Sequence, residues 1–67
     1  MNDAIVQNEV VLNFLNTLFS KAMFFKDDEM ICELNKLRHH IYYEKGFDYE
    51  LILSELKVME VKLKRYE

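Results

Sequence analysis

His39 and His40 stand side by side, with Cys32 seven positions earlier, and these are the only histidines and the only cysteine of the chain. Imidazole and thiolate bind zinc and serve as general base and nucleophile, so their spacing comes first. It argues against both chemistries. Adjacent residues on a helix point ~100° apart and cannot share an ion, whereas residues i and i+4 can. Cys32 would lie two turns from His39, about 10 Å along a helix axis. No other His, Cys, Asp or Glu set converges by local spacing, so neither a metal nor a cofactor is expected. The histidines are expected to face solvent beside Leu37 and Ile41, and Cys32 to be a small buried hydrophobe.

The remaining chemistry-bearing residues are tyrosines and a basic group. Tyr49 and Tyr66 fall on an apolar seam, with their hydroxyls expected at its edge. Tyr42 and Tyr43 are neighbours and cannot both face inward, so one of them is an exposed candidate for a protein contact near Arg38 and Lys45. Lys57, Lys62, Lys64 and Arg65 are interleaved with Glu55 and Glu60, the pattern of a solvated helix flank. With a net charge of −3, the chain lacks the basic surplus of a phosphate-backbone binder. Nucleophile–base pairs and glycine-rich phosphate loops are missing, and the one glycine, Gly46, sits in a turn. A non-enzyme without a small-molecule substrate is expected.

The elements that must position these residues are helices. No proline, one glycine and 51% apolar residues at helical spacing indicate an all-α chain, with no alternating run or hairpin-turn dipeptide. Three helices are expected. The third, about 48–66, carries Tyr49, Ile52, Leu56, Met59, Leu63 and Tyr66 at spacings of 3, 4, 3, 4 and 3, capped by Asp48. A second, thinner apolar line on it holds Leu51, Val58 and Val61. The second helix, about 28–45, carries Met30, Leu34, Leu37 and Ile41 after the acidic start Asp27-Asp28-Glu29. Gly46 suits a left-handed C-cap, with Phe47 folding back onto the last turn. The short loop makes these two helices an antiparallel hairpin with facing seams.

No breaker stands between residues 3 and 45, so one long helix is the alternative. The shift of the apolar stripe and the fresh start at Asp27-Asp28 instead place a tight turn near Phe25–Asp27, after a first helix of about 3–25. Val10 to Ser20 carries no charge, and the apolar residues sweep out more than half the circumference, where a surface helix needs a ~100° stripe. The expected interface therefore comprises Val11, Leu12, Phe14, Leu15, Leu18, Phe19, Ala22 and Met23.

Leu37-Arg38, the turn Glu44-Lys45-Gly46-Phe47, and the closing Leu63 and Tyr66 resemble the sporulation-type aspartyl-phosphate phosphatases. That resemblance implies a helical hairpin that docks on response regulators and dephosphorylates an aspartate. The family signature is Ser-Gln-x-x-Asp on the second hairpin helix. Superposing the turns places Leu56-Lys57-Val58-Met59-Glu60 there, so the acid persists as Glu60 while the Ser and Gln are missing. The resemblance covers the hairpin only. It implies response-regulator binding, with phosphatase activity in doubt without the polar pair that would position water.

Residues 1–67 form one small domain with little interior and no possible internal disulfide, so stability is expected to come from association. A dimeric helical bundle is the expected solution, or else a complex with another protein. Neither a signal peptide nor a membrane-spanning run is recognisable, and a single cysteine fits a reducing compartment, so a cytoplasmic location is expected. Together these point to a helical protein–protein interaction module: a small regulator, adaptor or chaperone-like subunit acting through its apolar N-terminal helix. The phosphatase-like reading is the alternative, and a nucleic-acid-binding helical dimer the third.

Overall fold

The computed structural model describes residues 3–43 and 48–67, with side chains from residue 8 onward. It is all-helical: α1 (Asp3–Phe24), α2 (Asp28–Tyr43) and α3 (Tyr49–Leu63), followed by one 3₁₀ turn at Lys64–Tyr66. The C-cap role of Gly46 and the fold-back of Phe47 lie outside the described residues. The expected turn at Phe25–Asp27 is present.

Its chemistry is economical. The N–H of Asp27 donates to the carbonyl of Ala22 at 2.9 Å and that of Lys26 to Met23 at 3.2 Å, the paired bonds of a Schellman cap. That cap needs a left-handed residue, and here it is Lys26, with φ of 58°, where glycine would carry no Cβ penalty. The next residue immediately starts α2. The Asp27 carboxylate accepts the Met30 N–H at 3.1 Å, so one aspartate closes α1 and N-caps α2. Asp48 does the same for α3, accepting the Leu51 N–H at 3.1 Å.

The turn brings α2 back antiparallel along α1. Arg65, just past α3, reaches Asp27 at the start of α2, so α3 ends where α1 ends and runs parallel to α1 and antiparallel to α2. Close packing is of α1 against α2 and of α1 against α3, while the backbones of α2 and α3 hardly approach each other. The expected face-to-face hairpin seams are thus replaced by two seams that both turn toward α1. The width of the α1 arc is the reason. Val11, Leu15, Leu18 and Ala22 line its centre and are completely buried. Phe14 and Phe25 cover one flank, Leu12 and Phe19 the other, all half-buried. Met30, Leu34 and Ile41 from α2 and Ile52, Leu56, Met59 and Leu63 from α3 complete the core. One greasy helix between two amphipathic ones is a consistent three-helix solution.

Candidate functional site

Because both seams lean on α1, the opposite side of the bundle is open between α2 and α3. A groove of about 720 Å³ runs there. Leu37, Ile52 and Met59 form its floor, and Leu51 and Val58 stand on the α3 edge with 57% and 54% of their surfaces exposed. Its rims are charged, with Glu33, Lys36 and His40 on α2 and Glu55 and Lys62 on α3. Val61, just outside the α3 rim, is 64% exposed. Leu51, Val58 and Val61 are the thin apolar line of the sequence, and no helix among the described residues covers it.

The second constellation is a latch at the end of the bundle. Asp27 is nearly buried, and its second carboxylate oxygen accepts from the Tyr66 hydroxyl at 2.8 Å and from Arg65 at 3.2 Å. Arg65 also donates to the Tyr66 oxygen at 3.1 Å, closing a triangle. The Tyr66 ring stacks on Phe25, centroids 4.9 Å apart. The hydrogen bond from Tyr66, the Met30 N–H and the Arg65 charge hold the Asp27 carboxyl below its ordinary value, against the opposing push of burial. Charge and hydrogen bonds here tie the C-terminal turn to the α1–α2 junction. A small polar notch beside it is lined by Glu29, Glu33, Lys62 and Arg65 as well.

The residues singled out by sequence are placed as follows. Of the eight interface candidates, Val11, Leu15, Leu18 and Ala22 belong to the core of the chain itself. Leu12, Phe14 and Phe19 are half-buried, and Met23 is exposed. The Arg38 guanidinium lies 4.6 Å from the Phe19 ring centroid and covers that flank by cation–π contact. The buried Arg38 Nε has no hydrogen-bond partner among the described residues, and the aromatic face is what it meets instead. Exposed Val10, Met23 and Phe24 fall on separate sides or ends of α1, so its described part presents no continuous apolar face.

Four expectations are corrected. Cys32 is exposed rather than buried, because it lies on α2 opposite the Met30–Leu34–Ile41 seam. Tyr42 and Tyr43 are both exposed, at 63% and 75%, since α1 takes only the Ile41 side of that turn. Of the two histidines expected to face solvent, His39 is exposed, with its ring on Tyr43 at 4.5 Å, whereas His40 is half-buried at the groove rim. Arg65 and Tyr66, read as solvated flank and seam edge, instead build the latch. Its signal in the sequence was an aspartate at a helix junction, but a contact across thirty-eight positions has no local signature.

Among the described residues, no group of three or more His, Cys, Asp or Glu side chains could hold a metal ion. No helix among them is long and apolar enough to cross a membrane. Glu60 lies half-buried on α3 between Met59 and Val61. Comparison with known proteins returns no matching family model, no matching curated protein and no matching solved structure, and none of this bears on the resemblance to the phosphatases.

Proposed function

We propose that this chain is a non-enzymatic helical interaction module, a small cytoplasmic regulator, adaptor or chaperone-like subunit, which accepts a helix of a partner in the groove between α2 and α3. The observation that carries the proposal is the groove itself. Its apolar floor and exposed Leu51 and Val58 form a slot along two antiparallel helices, and a further helix laid there would complete a four-helix bundle. Helix-in-groove recognition needs this combination of an apolar trough and polar rims. The surface differs from the N-terminal helix expected from sequence, because α1 gives the centre of its apolar arc to its own chain. The lone Cys32 suits a reducing compartment.

Site-specific photo-crosslinking in the native host tests the reading. A photoreactive residue replaces either Ser54, on the groove rim, or Asn13, on the exposed side of α1. Adducts from position 54, mapping to a helical segment of the captured protein and missing from position 13, support the groove. Adducts from position 13 alone, or equal yields from both, overturn it.

A further inference from the structure

Resting on the groove reading, we infer that the partner helix carries segregated charge, basic at the end that lies over Glu50 and Glu55 and acidic at the end that lies over Lys57, Lys62 and Lys64. The outer side of α3 points to it. Leu51, Ser54, Val58 and Val61 follow one another at spacings of 3, 4 and 3 and are all exposed, so α3 bears a second seam of coiled-coil spacing turned away from its core seam. That seam is about 15 Å long, three turns of a partner helix. Glu55 and Lys62 flank it on the groove side, and Glu50, Lys57 and Lys64 flank it on the other. From such flanking positions charges select the partner of a seam. On both flanks the sign changes between residues 55 and 57, from acid near the start of α3 to base toward the latch end.

The gradient exceeds what the helix needs for itself. Dipole interactions fall off within the first and last turns, which accounts for Glu50 and Lys62 but not for Glu55 and Lys57 in the middle of α3. All five flanking charges are exposed, and none has an ion-pair partner among the described residues. They are available across an interface, where opposite-sign pairing sets partner choice more than raw affinity. Glu60, the remaining acid of α3, is half-buried away from this seam. On the α2 rim, Glu33 at the latch end offsets one of the three lysines, and Lys36 lies a turn further along. A uniformly acidic or basic partner helix would meet like charges along part of the seam. A helix with one basic and one acidic end meets opposite charges along both flanks of α3, while its apolar stripe covers Leu51 and Val58.

The test titrates the full chain into fluorescently labelled helical peptides of about three heptads that share one apolar stripe, each held at nanomolar concentration. The first peptide has lysines flanking the stripe in one half and glutamates in the other. The second has the same residues with the signs alternating, and the third is acidic throughout. Fluorescence anisotropy should give the segregated peptide a Kd about fivefold or more below that of the alternating one, the sum of several modest exposed pairs. The variant Glu50→Lys/Glu55→Lys has a basic seam throughout and should bind the acidic peptide best. Glu55→Lys alone, clear of the helix start, should narrow the segregated peptide's advantage, and matching circular dichroism excludes misfolding in both variants. Equal binding of the segregated and alternating peptides, or an unchanged order in the double variant, overturns the inference. If Val58→Glu still abolishes that equal binding, the groove reading stands without it. No binding of any peptide at high micromolar protein also overturns it, and crosslinks from position 54 then decide the groove reading separately. Dimerisation of the parent that Val58→Glu abolishes would seat a second copy on the seam and overturn the inference of a separate partner helix.

Discussion

Asp27 is the residue through which all three helices are joined, and its replacement can be worked through in advance. One carboxylate oxygen N-caps α2 through the Met30 N–H, and the other receives Tyr66 and Arg65. Loss of an N-cap costs about 1 kcal/mol. A hydrogen bond to an ionised acceptor contributes about 1.5–3 kcal/mol when dry; that from the partly exposed Tyr66 hydroxyl is taken as about 1 kcal/mol, and the solvent-exposed Arg65 pair is left out of the sum. Asp27→Ala should therefore cost about 2 kcal/mol, equivalent to a fall of roughly 8–16 °C in Tm for a domain of this size. Asp27→Asn retains a capping oxygen but turns an amide toward Tyr66 and Arg65, and should lose about half as much. The assay is thermal melting by circular dichroism at pH 7, with all proteins at one concentration because association also shifts Tm. An Asp27→Ala melt within about 2 °C of the parent would refute the latch, since no reasonable share of the terms above is that small.

Further outcomes follow from the same geometry. Because the folded-state pKa of Asp27 is lowered, its stabilisation is complete above the ordinary carboxylate value of about 3.9 and is lost as pH falls through the lower folded value. The Tm gap between parent and Asp27→Asn should accordingly be full at neutral pH and close in acid, and a gap that widens below pH of about 4 would contradict the assignment. Lys26→Gly should raise stability by about 1 kcal/mol, read from urea midpoints, because glycine removes the Cβ penalty at φ 58°. A destabilised Lys26→Gly would mean that the lysine side chain contributes something the backbone angle does not reveal. Leu15→Ala and Leu56→Ala should each cost about 2–4 kcal/mol in the same titration, as both are completely buried between helices.

Much of this architecture was legible in the residues. The a/d spacing of α2 and α3, the caps Asp27 and Asp48 and the acidic restart after Phe25 are local signals, and each element lies within a few residues of its expected bounds. What periodicity could not say is which helix each seam faces. α2 and α3 run antiparallel, as expected, but their seams turn to α1 because only α1 has an apolar arc wide enough for both. The same breadth that suggested an external partner for Val11, Leu15, Leu18 and Ala22 is satisfied inside the chain. The thin line of Leu51, Val58 and Val61 was visible as a second apolar stripe, yet only the splaying of α2 from α3 turns part of it into the edge of a groove. Covering Phe19 with Arg38 and tying Arg65 and Tyr66 to Asp27 depend on tertiary proximity, which no local spacing encodes.

The central claim is that the chain receives a partner helix in the groove between α2 and α3 and not on the flank of α1. Crosslinking from position 54, repeated on Val58→Glu and Phe19→Glu backgrounds, separates the two. Val58→Glu should abolish the adducts with unchanged helicity, while Phe19→Glu, whose side chain sits under Arg38 away from the groove, should leave them in place. Adducts that survive Val58→Glu and are lost with Phe19→Glu would contradict it.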